Sequence, residues 1–501
     1  LPLRRSLGLA IAAGVFRDRF ANGTGGVVPA LGLVARWTPA PGIEVIPFWG
    51  RADAFDDPTG PLYRTRDGAP PRRIARRNFQ GPDWARYNGP NTNTGLITRA
   101  DLGADWRLEA GLFRSGVLAR TSYSNLILDI DSAGEGLRVV VADPSRGAAS
   151  WSGEARLSKL LPDGPRRHRI ILAARGRDVN ARFGGSDART FGRFDIEAPF
   201  QPLRPEFRFG AQTRDSVRQG TVGLGYELRW GRALELSAGV QKTDYQKRVE
   251  VPGVAESLRR DTPWLFNAMA GVRVSERVAL YAGGTRGLEE NGTAPGDAAN
   301  RNEVLPALLT EQVEAGVRLK LPANLTLVAG GFRIEKPYFS YDAANVFREQ
   351  GVVRHQGVEL SLSGSPAPGL TLLAGGLLLD ASLSGPEVEA GTIGPRPVGR
   401  ARETLTTVVD WRPNPDGPLS VDVRLDASGK RIATRDNRVS VPSTAFVAVG
   451  ARYRFRMGEA PASLRVRVNN VANVFAWNVE GDGLYTVNGP RSVSAILTAD
   501  F

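Results

Sequence analysis

Hydrophobic and polar residues alternate with a period of two through most of the chain. After Gln312, one apolar stripe is formed by Val313, Ala315, Val317 and Leu319. Glu314 and Arg318 occupy positions between them. Successive side chains of a β-strand point to opposite faces, whereas a helix repeats its apolar positions every three or four residues. The alternation therefore predicts strands with one apolar face and one polar face.

Segments of this kind number about twenty and are roughly 10 to 14 residues long, enough for a strand to cross a membrane. Short connections lie at 39–42, 162–165, 231–232, 275–277, 322–324, 365–369, 413–418 and 457–461. Long ones lie at 18–29, 54–92, 121–150, 179–205, 249–262, 287–308, 335–351, 383–398, 430–441 and 475–489. Because short and long connections alternate, we predict an all-β transmembrane antiparallel β-barrel with short periplasmic turns and long extracellular loops.

The membrane explains the apolar face of each strand. Every backbone N–H and C=O in hydrocarbon must be paired within the protein, so only a sheet without free edges crosses a membrane as strands. Val317 is then expected to face lipid and Arg318 a water-filled lumen. Aromatic residues near strand ends are interpreted as interfacial girdles. These are Trp37, Trp49, Trp230, Tyr281, Trp411, Tyr453 and Phe501.

The N-terminal stretch "LRRSLGLAIAAGVF" has the basic start and apolar core of a signal peptide. Its larger residues, however, alternate with small ones, as Leu9 and Ile11 do with Ala10 and Ala12. A strand is the preferred interpretation. No run of 18 or more apolar residues occurs in the sequence, so no transmembrane helix is predicted.

Composition excludes several other classes of protein. The sequence has no cysteine, which rules out disulfides and thiolate metal sites. The net charge of +13 is spread along the chain rather than gathered on one helix, which argues against a nucleic-acid partner. The two histidines, His168 and His355, are too few and too far apart for a histidine metal site. No phosphate-binding glycine loop or hydrolase motif is present, so no enzyme, cofactor or resident metal is predicted.

Several motifs resemble those of one family. "TRGLEENGTAPGDAANRNEVLPALLTEQVEAGVRL" is similar to the mid-barrel signature of TonB-dependent outer-membrane receptors. "RHQGVELSLSG", "VNNVANVFAWN" and the ending "GPRSVSAILTADF" resemble further segments of that family, in family order and closest to its ferric-siderophore branch. The terminal Phe501 resembles the aromatic residue by which the barrel-assembly machinery recognises its substrates.

This resemblance implies that residues 1–501 form the receptor β-barrel, about twenty of the family's 22 strands. The N-terminal plug and the first hairpin are expected to be absent from the chain. The implied function is TonB-dependent uptake of a ferric siderophore or similar chelate across the cell outer membrane, with TonB acting through the plug. The alternatives are a passive, plugless diffusion channel and, more weakly, a barrel enzyme such as a lipase or protease.

Ligand-binding candidates come from the long loops and the upper lumen. The first long loop interleaves arginines with aromatic residues, a combination that can bind an anionic chelate by charge and by stacking. A solvated loop, or one that contacts outer-membrane lipid and lipopolysaccharide, fits the same residues. The candidates in this loop are Arg76, Arg77, Trp84, Arg86 and Tyr87, and those elsewhere are Arg286, Tyr338 and Tyr341.

Overall fold

The computed structural model describes residues 2–4, 6–20 and 22–500. The first ten strands are β1 (Pro2–Arg4), β2 (Leu7–Arg17), β3 (Val27–Trp37), β4 (Ile43–Pro58), β5 (Pro61–Thr65), β6 (Arg86–Gly103), β7 (Trp106–Ala119), β8 (Ser122–Ile130), β9 (Glu135–Asp143) and β10 (Arg146–Asp163). The next ten are β11 (Arg166–Phe183), β12 (Asp187–Asp195), β13 (Thr213–Trp230), β14 (Leu234–Glu250), β15 (Ser257–Asp261), β16 (Trp264–Arg273), β17 (Val278–Glu289), β18 (Leu308–Leu321), β19 (Leu325–Tyr341) and β20 (Phe347–Ala367).

The C-terminal part of the chain adds ten more strands and a short helix. These elements are β21 (Leu370–Ser384), α1 (Pro386–Glu389), β22 (Glu403–Trp411), β23 (Leu419–Ser428), β24 (Arg431–Ile432), β25 (Ser440–Val441), β26 (Thr444–Met457), β27 (Ala460–Asn469), β28 (Trp477–Gly481), β29 (Leu484–Val487) and β30 (Ser492–Ala499). No helix in the described part of the chain is long and apolar enough to cross a membrane.

Twenty-two of these strands form one antiparallel sheet, which is the barrel wall. Each strand hydrogen-bonds to the next wall strand along the chain, as in β17 with β18 and β18 with β19. Strands β15 and β16 both pair with β14 and form one strand interrupted at Pro263, and β1 has only three residues. Among the described residues the wall therefore has twenty full strands, which confirms the predicted number.

The register assigns the two faces of the wall. Val317 lies opposite Leu280, on one face, whereas Glu314 lies opposite Gly283 on the other. On the polar face, Asp422 of β23 binds Arg465 and Arg467, which both lie on β27, two strands away in the wall. The faces expected from the alternation are those observed. The N-terminal segment is the strand β2 rather than a separate apolar peptide, as predicted.

Tyr281 is an exception to the predicted aromatic girdle. It pairs with Gly316 and lies on the same face as Glu314, which is the lumen side. A Cβ placed on Gly316 or on Gly330 would lie 2.5 Å from the Tyr281 hydroxyl, so the ring covers these two glycines. The prediction was wrong because it used nearness to a strand end and ignored the side of the strand. Phe501, a further predicted girdle residue, lies outside the described residues.

One periplasmic turn was absent from the predicted connections. Strands β6 and β7 are joined by Ala104 and Asp105, whose φ angles are 46° and 61°. Two positive φ angles in a two-residue connection are typical of a type I′ hairpin, which normally uses Asn-Gly or Asp-Gly. The Ala-Asp sequence carries no such signal, which is why this turn was missed.

The extracellular loops have a fold of their own. Strands β12, β9, β8, β5, β29 and β28, in that order, form a six-stranded sheet that we call the loop sheet. It joins four of the predicted long loops, and β5 runs parallel to β8. Its buried core includes Tyr63, Ile127, Ile196, Trp477 and Tyr485. A smaller apolar cluster packs Ala294, Ala298 and Leu305 against Phe339, Tyr341 and Phe347.

Candidate functional site

Arg76 connects the first long loop to the last one. Its guanidinium donates to the backbone oxygens of Val474 at 2.8 Å, Asn473 at 3.1 Å and Gly489 at 3.2 Å. It also donates to the side-chain oxygens of Asn473 at 2.7 Å and Asn488 at 3.0 Å. Partial burial lowers its pKa, and the nearby Arg73 lowers it further. With its donors occupied, Arg76 holds loops together and has little capacity left for a ligand.

Arg77, the next residue, makes none of these contacts. Arg77 is exposed and has no hydrogen bond or ion pair in the part of the chain that the structure describes. Arg73 is four positions earlier in the same loop, with its guanidinium 5.2 Å from the ring centre of Phe475. A free guanidinium next to a cation–aromatic contact can bind an anion without breaking existing bonds. Arg77 is therefore the candidate in this loop that is most available to a ligand.

Trp84 and Arg86 support the loop from within. The Trp84 indole N–H donates to the backbone oxygen of Pro202 at 2.8 Å, and its ring packs against Tyr123 and Phe207. Arg86 donates to the backbone oxygens of Asp83 at 2.6 Å and Asp56 at 3.1 Å. The adjacent Tyr87 is half-buried in β6, opposite Asp57. These contacts position the loop.

Arg286 lies on the lipid-facing side of the wall. It pairs with Phe266 and Glu311 in the neighbouring strands, on the same face as Leu280. Its Nε is 3.6 Å from a carboxylate oxygen of Glu311. This position, near the extracellular ends of the strands, is at the membrane surface and not in the lumen. Its position near a strand end was predicted from the sequence, but the face on which it lies was not.

Tyr338 and Tyr341 join separate loops. The Tyr338 hydroxyl accepts a hydrogen bond from Arg435 at 3.1 Å, which links β19 to the loop before β25. The Tyr341 hydroxyl donates to Asp297 at 2.6 Å, and its ring meets Phe347 edge-on. Both hydroxyls therefore have protein partners. They keep the loops in place around the extracellular mouth.

Arg138 is a buried structural residue of the loop sheet that the sequence analysis did not identify. Its side chain is fully buried in the loop sheet and donates to the backbone oxygens of Gln80 at 3.1 Å, Asp195 at 3.1 Å and Ile196 at 3.4 Å. Its guanidinium also lies 4.7 Å from the ring centre of Phe200. Burial lowers its pKa. The only sequence signal is a single arginine in the apolar run "LRVVV".

A basic cleft opens among the loops after β21 and β23. Its volume is about 220 Å³, and the charged residues lining it are Asp380, Arg396, Arg400, Arg402, Glu403 and Lys430. Four cations against two carboxylates leave the cleft positively charged. Neither Arg400 nor Lys430 has a hydrogen bond or ion pair within the described residues. The sequence did not identify this cleft because the loops that form it carry no repeating pattern.

The lumen wall carries a second group of arginines. Asp422 is buried and accepts from Arg465 at 3.0 Å and Arg467 at 2.9 Å. On the same strand, Arg424 binds Asp426 at 2.7 Å. Arginine thus lines the path that leads inward from the mouth. Within the described residues, no three histidine, aspartate or glutamate side chains are grouped so that they could hold a metal ion.

Comparison with known proteins agrees with this architecture. A family model described as TonB dependent receptor-like, beta-barrel matches residues 17–471. The ferrichrome receptor FcuA of Yersinia enterocolitica is 27% identical over 376 residues, which cover 71% of this chain and 48% of that receptor. The chain thus spans about half the length of this relative.

Solved structures show the same fold. The ferric preacinetobactin receptor BauA of Acinetobacter baumannii has a TM-score of 0.85 at 18% identity, over 99% of this chain and 75% of that one. The siderophore receptor PiuA of the same organism has a TM-score of 0.82 at 14% identity, over 99% and 77%. The pyoverdine receptor FpvA of Pseudomonas aeruginosa has a TM-score of 0.81 at 14% identity, over 100% and 75%.

Proposed function

The chain belongs to the TonB-dependent receptor β-barrel family, and on that premise we propose that it takes up a ferric siderophore in a TonB-dependent way. The protein is located in the cell outer membrane. The family consists of receptors and transporters, which supports a role other than catalysis. The relative in Yersinia enterocolitica is a ferrichrome receptor, and the structural neighbours include receptors for preacinetobactin and pyoverdine.

The observation that supports ligand capture best is a set of three cationic side chains on the extracellular loops that have no hydrogen-bond or ion-pair partner among the described residues. Arg77 lies on the first long loop, and Arg400 and Lys430 line the basic cleft. Positive charge at the mouth of a cleft attracts an anionic chelate from a distance and binds its oxygen atoms on contact. Because the iron arrives already chelated, no protein ligand to the metal is required.

We divide the candidate residues by what their side chains already contact. Arg77, together with Arg400 and Lys430, would bind the ligand directly. Tyr87 stays a candidate for direct contact. Arg76, Trp84, Arg86, Tyr338 and Tyr341 would position the loops, since their polar atoms are engaged with protein groups. We leave Arg286 out of the ligand set because it lies on the lipid-facing side.

Transport would then use the family's mechanism. Members of this family couple ligand release to TonB through a plug domain inside the barrel, and we propose the same coupling here, with residues 1–501 acting as the barrel. The arginine-lined wall at Asp422, Arg465 and Arg467 would form part of the inward path.

Iron uptake in cells tests this proposal. The full-length gene is expressed in a siderophore-deficient Gram-negative host, and uptake of radioactive iron is measured for hydroxamate, catecholate and mixed ferric chelates, with and without TonB. We expect uptake of at least one chelate that requires TonB and is abolished by an uncoupler. Uptake that persists without TonB would support the alternative, a passive diffusion channel, and absence of any TonB-dependent uptake would contradict the proposal.

A further inference from the structure

The lipid-facing surface of the wall contains a trough on strands β10, β11 and β13. Three glycines stand side by side on these strands, since Gly153 pairs with Gly176 and Gly176 pairs with Gly220. On the same face, the next positions toward the periplasm are held by Ala155, Ala174 and Val222. Below these lies a ridge of Leu157, Leu172 and Leu224. The trough has a volume of about 790 Å³, within the range of sites that take organic ligands.

Packing does not require two of the three glycines, whereas a Cβ on Gly153 would lie 3.0 Å from the backbone oxygen of Gly111. A Cβ on Gly220 would meet no atom within 4 Å, and one on Gly176 would meet only a backbone oxygen at 3.7 Å. Neither glycine has a positive φ angle. Glycine in the interior of a strand weakens it, and a lipid-facing side chain would fit here without strain. The space is therefore a property of the outer surface and is available to a molecule from the membrane.

Charged residues border the trough on its extracellular side. At the next position on the same face toward the extracellular side, Trp151 pairs with Asp178, and Asp178 pairs with Arg218. The trough continues into a hollow of about 630 Å³ that these three residues line. On strand β14, Asp244 lies opposite Gly220 and Lys242 lies opposite Val222, so both flank the floor, and Arg260 binds Asp244 at 2.7 Å.

The border carries more positive than negative charge. Arg218 binds Asp178 at 3.1 Å and Arg260 binds Asp244, while two further cations have no carboxylate partner among the described residues. These are Arg114, 5.8 Å from the ring centre of Trp151, and Lys242, 5.2 Å from that of Trp264. An apolar floor with a cationic border on one side is complementary to an anionic amphiphile.

The depth of the border matches the outer surface of the membrane. Arg218 is separated from Trp230, at the periplasmic end of β13, by twelve positions on the same face. At about 3.3 Å per residue and a tilt of roughly 35 to 45°, this separation is about 28 to 33 Å along the membrane normal. The apolar band of such barrels is about 25 Å tall, so Arg218 lies at the level of the outer headgroups.

We propose that this trough binds a phosphorylated glycolipid of the outer leaflet. One acyl chain lies on the floor formed by Gly153, Gly176 and Gly220. A phosphate contacts Arg218 and Arg260, whose side chains are 79% and 66% exposed and keep N–H donors that their carboxylate partners do not use. The outer leaflet is the source because Arg114, Arg218 and Arg260 all lie on the extracellular side of the glycine row, with Arg114 opposite Trp151 and Arg260 in register with Arg218 through Gln246. Bidentate geometry makes arginine well suited to phosphate.

A second hollow on the same barrel provides an internal control. Its volume is about 610 Å³, and it lies on the lipid-facing side of β20 to β23, with Leu360, Gly376 and Leu405 on its floor. Among its lining residues the only charged one is Glu403. A Cβ on Gly376 would meet only a backbone oxygen at 3.9 Å, so this glycine can also be replaced without strain. An anionic lipid is expected to avoid this hollow.

Native mass spectrometry of the full-length receptor in detergent tests the proposal. A lipid with two phosphates on a sugar headgroup is titrated against wild type, Gly220→Leu, and a charge-neutral variant. The latter combines Asp178→Asn, Arg218→Gln, Asp244→Asn and Arg260→Gln. We expect each variant to lower glycolipid binding by about tenfold or more, since either the acyl site or two charge-assisted contacts are lost. Gly376→Leu should bind as wild type does.

Three results would overturn the proposal. Equal binding by Gly220→Leu and wild type would show that the trough is not the site. Equal binding of the dephosphorylated glycolipid would contradict the role of the arginines. Equal binding of phosphatidylglycerol would contradict the outer-leaflet source. A thermal unfolding curve for each variant distinguishes these outcomes from misfolding, and because iron uptake is not the readout, failure here leaves the proposed transport function unaffected.

Discussion

The barrel wall and the loop sheet are both made of β-strands, but different interactions specify them. In the wall, each strand pairs with the next wall strand along the chain, and its two faces contact lipid and lumen. In the loop sheet, strands that are far apart in sequence pair with each other, as β5 and β29 do at Tyr63 and Tyr485. The loops next to the sheet are joined in the same way, as Arg76 and Asn473 are across 397 positions. The wall depends on a repeated pattern, whereas the loop sheet depends on a few buried polar side chains that make many bonds each.

Replacement of the buried arginine in the loop sheet should have the largest effect. Arg138→Met leaves the backbone oxygen of Ile196 without a donor and removes one of the two donors to the backbone oxygens of Gln80 and Asp195. We expect local stability of the loop sheet to fall by roughly 3 to 5 kcal/mol, because three hydrogen bonds from a buried charged group are lost together. Hydrogen exchange of the β9 and β12 amides in detergent measures the change, and the amides of β18 and β19 should be unaffected.

Arg193→Met is the matched control for Arg138→Met. Arg193 also donates to backbone oxygens, those of Asp129 and Glu135, but its side chain is 33% exposed. Water can replace these bonds, so the loss of protection should be smaller. Equal effects of the two variants would show that burial does not determine the contribution of Arg138.

A charge on the lipid face of the wall should have the next largest effect. Val317 lies in β18 a few residues above the turn at 322–324, which is near the bilayer midplane for a tilted strand. Val317→Arg is expected to destabilise the barrel by roughly 2 to 4 kcal/mol. The neighbouring Arg318→Ala should change stability little, since its side chain faces water. Urea titration of folding into lipid vesicles measures both, and similar results for the two would contradict the assigned faces.

The sequence predicted the wall better than the loop sheet for a physical reason. Period-two alternation arises from the environment on each face, so the strands and the faces of Val317 and Arg318 could be predicted. The pairing of Arg76 with Asn473 depends on three-dimensional closure of separate loops, and no local pattern encodes it. For the same reason, Arg400 and Lys430 were missed. Tyr281 was misassigned because an aromatic residue near a strand end can face either side.

Two adjacent arginines in the first long loop allow the structural role of an arginine to be separated from its role in ligand binding. Arg76→Ala removes five hydrogen bonds to the last loop and should lower the stability of that connection by roughly 1 to 3 kcal/mol. Arg77→Ala should leave stability unchanged and, under the proposed function, weaken binding of the chelate. Limited proteolysis within 470–491 reports the first effect and ligand titration the second.

The smallest expected effect is a pH dependence confined to the loop sheet. The Asp195 carboxylate accepts from the backbone N–H of Glu197 at 2.7 Å and from Arg72 at 2.8 Å, and these contacts, in that order, lower its pKa. A lowered pKa stabilises the folded form above the ordinary value of about 3.9, and this contribution is lost as the pH falls through the lower folded value. Because the side chain is 43% exposed, the effect should stay below about 1 kcal/mol. Hydrogen exchange of β12 between pH 3 and 6, corrected for intrinsic rates, should show a loss of protection at the acid end that is reduced in Asp195→Asn. An identical pH profile in the two proteins would assign the acid sensitivity to another carboxylate, such as Asp131, which binds Arg193.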